Sequence, residues 1–66
     1  MEISYIIKLI EERKTVLRKE MDAAKTQLGE AVTAENLKDQ AFYEREYDAA
    51  YREWYKLSEA LTILKN

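Results

Sequence analysis

The 66-residue chain contains no cysteine, no histidine and no proline, and it has a single glycine, Gly29. Each gap excludes something. Without cysteine there are no disulfides, and without cysteine or histidine the common structural zinc sites are out of reach. The thiol nucleophile and the imidazole general base go with them. One glycine cannot build a phosphate-cradling loop. No apolar run is long enough to span a bilayer. The first residues, MEISYIIKLIEERK, place an acid at position 2 and offer no small-residue cleavage site. They are read as the start of a complete, small, soluble cytoplasmic product rather than as a secretory signal.

Size sets a further limit. A chain this short buries only roughly 60% of the surface its unfolded form exposes, so a lone core is marginal. With disulfides and zinc excluded, association is the expected remedy. Charge is balanced, with 11 basic and 13 acidic residues and a net charge of −2. That value is too small to point to a nucleic acid or a membrane surface.

What the chain does have is helical periodicity. Ile3, Ile7, Ile10, Lys14, Leu17, Met21, Ala24 and Leu28 follow one another at steps of four and three. That spacing holds one stripe toward a partner helix. Lys14 is the charged intruder, whose stem can lie along the stripe with its ammonium in water. A second series reads Asn36, Gln40, Tyr43, Tyr47, Ala50, Trp54, Leu57, Leu61 and Leu64. The two series differ in phase. Continuing the first would put Glu35, Lys38, Arg45 and Arg52 in a seam, so the chain must turn between them.

The sequence places that turn at about residues 29–33, with helices at about 3–28 and 34–64. Gly29 would end the first helix in the left-handed conformation, and Thr33 would cap the second. Val32 and Leu37 would staple the entry. Ser4 is a further candidate cap. A loop this short makes the helices antiparallel neighbours. The expected fold is all-α, an antiparallel helical hairpin that dimerises into a four-helix bundle.

Six of the seven aromatic residues fall in the stretch FYEREYDAAYREWY, Phe42 to Tyr55. Tyr43, Tyr47 and Trp54 lie on the core stripe, opposite Met21, Leu17 and Ile10 or Ile7. The expected core and dimer residues are Ile3, Ile7, Ile10, Leu17, Met21, Leu28, Tyr43, Tyr47, Trp54, Leu57, Leu61 and Leu64. Tyr51 and Tyr55, with Glu44 beside them, sit at one edge of the stripe. Phe42 lies on another side with Ala49, Ala60 and Ile63, and helix one carries a second line at Leu9, Val16 and Ala23. A two-helix seam cannot bury these lines as well, and each large apolar side chain left wet forfeits about 1.5–3 kcal/mol. Tyr51, Tyr55, Glu44, Phe42, Leu9 and Val16 are therefore the candidate partner-binding residues.

Chemistry is hard to find. Ser4 and Ser58 have no triad partner, and a Ser–Lys arrangement with Lys14 or Lys56 has nothing to preorganise it. Glu44 and Asp48 stand one turn apart but fall short of the six or more oxygens a calcium site needs. No cofactor or metal is expected, and no catalysis. Arg45 and Arg52 alternate with tyrosines, a pattern that can stack on nucleic acid. The neighbouring Glu44, Glu46, Asp48 and Glu53 would repel phosphate. From Glu35 to Glu53 there are six acids and three bases, which also admits a minor role as an acidic mimic of nucleic acid. No stretch carries a family motif. The expectation is a non-catalytic regulator or inhibitor that docks on a larger protein, or failing that a self-associating scaffold.

Overall fold

In the computed structural model, which describes residues 2–66, the chain forms α1 (Ile3–Thr33) and α2 (Leu37–Lys65). The two pack against each other as a hairpin of 49 × 15 × 14 Å. Both helices exceed the length at which propensity alone would matter most. Their stability comes from the seam, as expected when an amphipathic face is buried.

The turn lies at residues 34–36, later than the sequence suggests, and Gly29 is an ordinary residue inside α1. The reason is visible in the hydrogen bonds. The amide of Glu35 donates to the carbonyl of Val32 (3.1 Å), and that of Asn36 to Ala31 (2.9 Å). This pair of bonds satisfies carbonyls that the end of a helix otherwise leaves open. The motif needs a left-handed residue, and Glu35 supplies it at φ 56°. Glycine usually fills that position, so a glutamate there conceals the turn from a reading of glycines.

Asn36 then starts α2. Its side-chain oxygen accepts from the amide of Asp39 at 3.1 Å, and its amide group donates to the Asp39 carboxylate at 2.9 Å. Asp39 also puts a negative charge in the first turn, which the helix dipole favours. Thr33 is not the cap. It belongs to α1, and its hydroxyl donates back to the carbonyl of Gly29. Val32 and Leu37 make no staple, and both are exposed. Ser4 is likewise inside α1, and the N-cap is Glu2.

The buried core is narrow. Leu17, Met21 and Ala50 form its centre, with Tyr47, Trp54 and Leu57 packed against it. Ala24, Ala31 and Leu61 are also buried. Ile7, Ile10, Leu28, Tyr43 and Leu64 are half-buried along the seam. Ile3 does not belong to the core. It is 57% exposed, at the first residue of α1. Among the described residues half of the six buried ones are alanines, and only Leu17 is a large side chain almost wholly removed from water. Close helix approach is the benefit of those alanines. Little buried apolar area is the cost.

Candidate interaction surfaces

The six candidate partner-binding residues do not form one patch. All are exposed, but the hairpin sorts them onto two opposite sides. One side is fixed by the Arg13–Glu53 ion pair, which spans the two helices at 2.7 Å. A groove of about 340 Å³ runs there between Ala23 and Phe42, with Glu20 and Glu46 on its walls. Leu9 and Val16 stand on the same line of α1 as Ala23, at steps of seven. The Phe42 ring meets Tyr43 edge-on at 5.1 Å.

The other side carries the tyrosines. Tyr51 is the hub of an aromatic ladder, with ring centroids 6.3 Å from Tyr47, 6.2 Å from Trp54 and 6.2 Å from Tyr55. The planes are inclined by only 12–30°, an offset-stacked arrangement that adds packing energy beyond burial. Trp54 is half-buried, and the Lys14 ammonium sits 4.9 Å from its ring centre. Lys14 therefore does more than extend a stem along the seam. Its charge lies against the face of the indole, a favourable contact with the ring quadrupole. Glu44 lies seven residues before Tyr51, on the same line of α2.

A second groove opens on this tyrosine side. It has a volume of about 520 Å³, and Trp54 forms part of its floor. Lys14, Arg18, Lys19 and Lys65 line it, against one acid, Glu11. Glu11 is already engaged by Lys65 at 3.9 Å. Among the described residues Lys14, Arg18 and Lys19 enter no ion pair. The two grooves thus have opposite character, with acids on the Phe42 side and bases on the tyrosine side. The chain as a whole is almost neutral, so this segregation comes from folding.

Charged groups elsewhere behave as surface groups. Arg13 donates from Nε and Nη2 to the two carboxylate oxygens of Glu53, at 2.7 and 3.1 Å. Those hydrogen bonds, helped by the opposite charge, hold Glu53 below the usual carboxylate range and raise Arg13. Both side chains are about half exposed, so the pair orients the helices more than it stabilises them.

Other chemistry is sparse. Ser58 donates to the carbonyl of Trp54 at 2.9 Å. Among the described residues no group of three or more acids gathers in a metal-holding arrangement. Nor is any helix among them long and apolar enough to cross a membrane. Glu44 and Glu46, two residues apart, face opposite sides of α2, and Glu53 is held by Arg13. The acids from Glu35 to Glu53 therefore present no single anionic face.

The cationic groove is the feature that sequence reasoning missed. Its bases come from the middle of α1 and the end of α2, and only the register of the hairpin brings them together. Comparison with protein-family models, curated proteins and solved structures returns no match.

Proposed function

We propose that the hairpin is a non-catalytic protein-binding module, a small cytoplasmic regulator or inhibitor that docks on a larger protein. One observation carries this reading: the folded chain leaves more surface in water than a compact chain of its mass, large apolar side chains included. Its accessible surface is 5334 Å² for a mass of 7.8 kDa. A compact monomer of that mass exposes about 4,400 Å². The excess is close to the ~800 Å² that each partner contributes to a stable interface. Large apolar side chains are among what stays exposed, Leu9, Val16, Phe42, Tyr51 and Tyr55 included. Tyrosines on a rigid helix suit this role, because they bury much area at low entropic cost.

The same excess favours a second reading, self-association into a four-helix bundle. The Leu9–Val16–Ala23 line and Phe42 offer the surface for it. Glu20 and Glu46 in the groove between them oppose that arrangement, since a two-fold interface would bring like charges together.

Two measurements separate the readings. Light scattering on a sizing column, over a hundredfold range of concentration, gives the mass of the free chain. A monomer throughout removes the bundle. Replacing both tyrosines (Tyr51→Ala, Tyr55→Ala) leaves helicity intact and abolishes partner binding. Undiminished binding by that variant eliminates the tyrosine side as the docking surface.

A further inference from the structure

We infer that the groove on the tyrosine side receives an acidic amphipathic helix of the partner protein. The inference rests on the protein-binding reading above and adds the chemistry of what is bound. Its basis is a coincidence of shape, charge and apolar surface. The groove runs between α1 and α2 and is open along the hairpin. Its floor includes Trp54, and the Tyr51–Tyr55 ladder continues that aromatic surface outward. Four basic side chains stand around it, and its one acid is taken by Lys65.

An occupant must therefore do two things. It must cover aromatic rings, and it must bring negative charge to Lys14, Arg18 and Lys19. A helix with an apolar stripe flanked by glutamates or aspartates does both, in the helix-in-groove mode. Charges placed at the rim of such an interface select the partner and speed its arrival more than they tighten the complex.

The charges also discriminate against the obvious competitor. Single-stranded nucleic acid combines stacking with phosphate contacts and would be drawn to aromatics beside cations. Here, however, a strand stacked along the tyrosines would also run past Glu44 and Asp48, which lie on the Tyr51–Tyr55 side of α2 and outside the groove lining. A protein helix seated in the groove beside Trp54 need not reach them. A second copy of this chain is disfavoured as occupant for a related reason. The acids it could offer as a groove lining, Glu20 and Glu46, sit beside Phe42 on the opposite side. Using them would leave an unsatisfied face at each end of the assembly and would propagate rather than close.

Trp54 is the only tryptophan, so its fluorescence reports occupancy of the groove directly. The probe is a lactam-stapled helical peptide with leucines at positions i, i+3, i+4 and i+7 and glutamates flanking them. A twin with lysine flanks, an oligothymidylate and phosphatidylserine vesicles complete the set. The expected result is saturable binding of the glutamate peptide, weakened about tenfold by reversing the two exposed bases, Arg18→Glu with Lys19→Glu. Both side chains are exposed, and unchanged circular dichroism confirms the variant's fold.

Equal binding of the glutamate and lysine peptides, lost on Tyr51→Ala/Tyr55→Ala, overturns the acidic-partner inference and leaves the protein-binding reading standing. Binding of the oligothymidylate or the vesicles in place of the peptide overturns both. So does the absence of binding by every probe.

Discussion

Leu17→Ala tests how much of this fold rests on one side chain. Leu17 is 1% exposed and, among the described residues, the only large one so deeply buried. It contacts a core of Met21 and Ala50, with Tyr47, Trp54 and Leu57 around it. Truncating a buried leucine loses its transfer free energy and leaves a cavity, typically about 3–5 kcal/mol in all. A 66-residue chain has roughly 3–10 kcal/mol of stability to lose. The variant is expected to fall to the edge of folding. Urea titration followed by circular dichroism reads this directly. With a slope near 1 kcal/mol per molar, the midpoint should drop by about 3 M. Leu9→Ala is the matched control, because it removes the same atoms from a side chain that is 46% exposed. Its expected cost in dilute solution is within ~0.5 kcal/mol. If Leu17→Ala costs under 1 kcal/mol, or no more than Leu9→Ala, the seam described here is not the core. The control has a second use. A Leu9→Ala cost that grows with protein concentration would show that its line is buried between copies.

The turn gives two opposed glycine predictions. Gly29→Ala should stabilise by about 0.5–1 kcal/mol, since Gly29 lies inside α1 and an added Cβ meets nothing within 4 Å. Glu35→Gly should stabilise by a similar ~0.5–1 kcal/mol, the relief of left-handed strain exceeding glycine's entropic cost. Either substitution should raise the melting temperature by roughly 2–8 °C. A loss of stability on Gly29→Ala would mean that the helix ends there after all. Asn36→Ala removes the bond to the Asp39 amide and should destabilise by about 1 kcal/mol, seen as a lower urea midpoint. Glu53 is held low by Arg13, so the pair's contribution is present above the unfolded carboxylate pKa. It is lost as pH falls through the lowered folded value. Carbon-detected NMR should find Glu53 titrating at lower pH in the native chain than in an Arg13→Gln variant. Identical midpoints would show that the pair does not form.

The features legible in the sequence are those that depend on local periodicity. The steps of four and three from Ile7 to Leu28, and from Gln40 to Leu64, mark residues that the hairpin buries or half-buries. The phase change between the two series demands a reversal of direction, and the structure has one. Its position was hidden because a left-handed glutamate sits in the turn after α1 while the one glycine, Gly29, lies inside the helix, inverting the usual preference. Ile3 fits the periodicity but stays 57% exposed at the start of α1. Periodicity shows which side of a helix a residue faces and nothing about whether a partner is there.

The division of the exposed residues follows from the same limit. Phe42, Leu9 and Val16 share no neighbourhood with Tyr51 and Tyr55, though all look alike as surplus apolar positions. Charge is less legible still. Helix one is nearly neutral and helix two mildly acidic, so counts along the chain predict no cationic surface. The groove arises because Lys14 and Arg18, one turn apart, project to the side where Trp54 and the end of α2 also lie, while Arg13, one residue earlier, is drawn to Glu53 on the opposite side. A shift of one residue in the phase of α1 would bring Arg13 to the position that Lys14 holds, toward the tyrosines, and turn Glu12 toward Glu53. Binding chemistry in a two-helix protein is thus set by the phase of its seam. Substitutions that move the seam should therefore relocate the cationic groove even when they touch no surface residue.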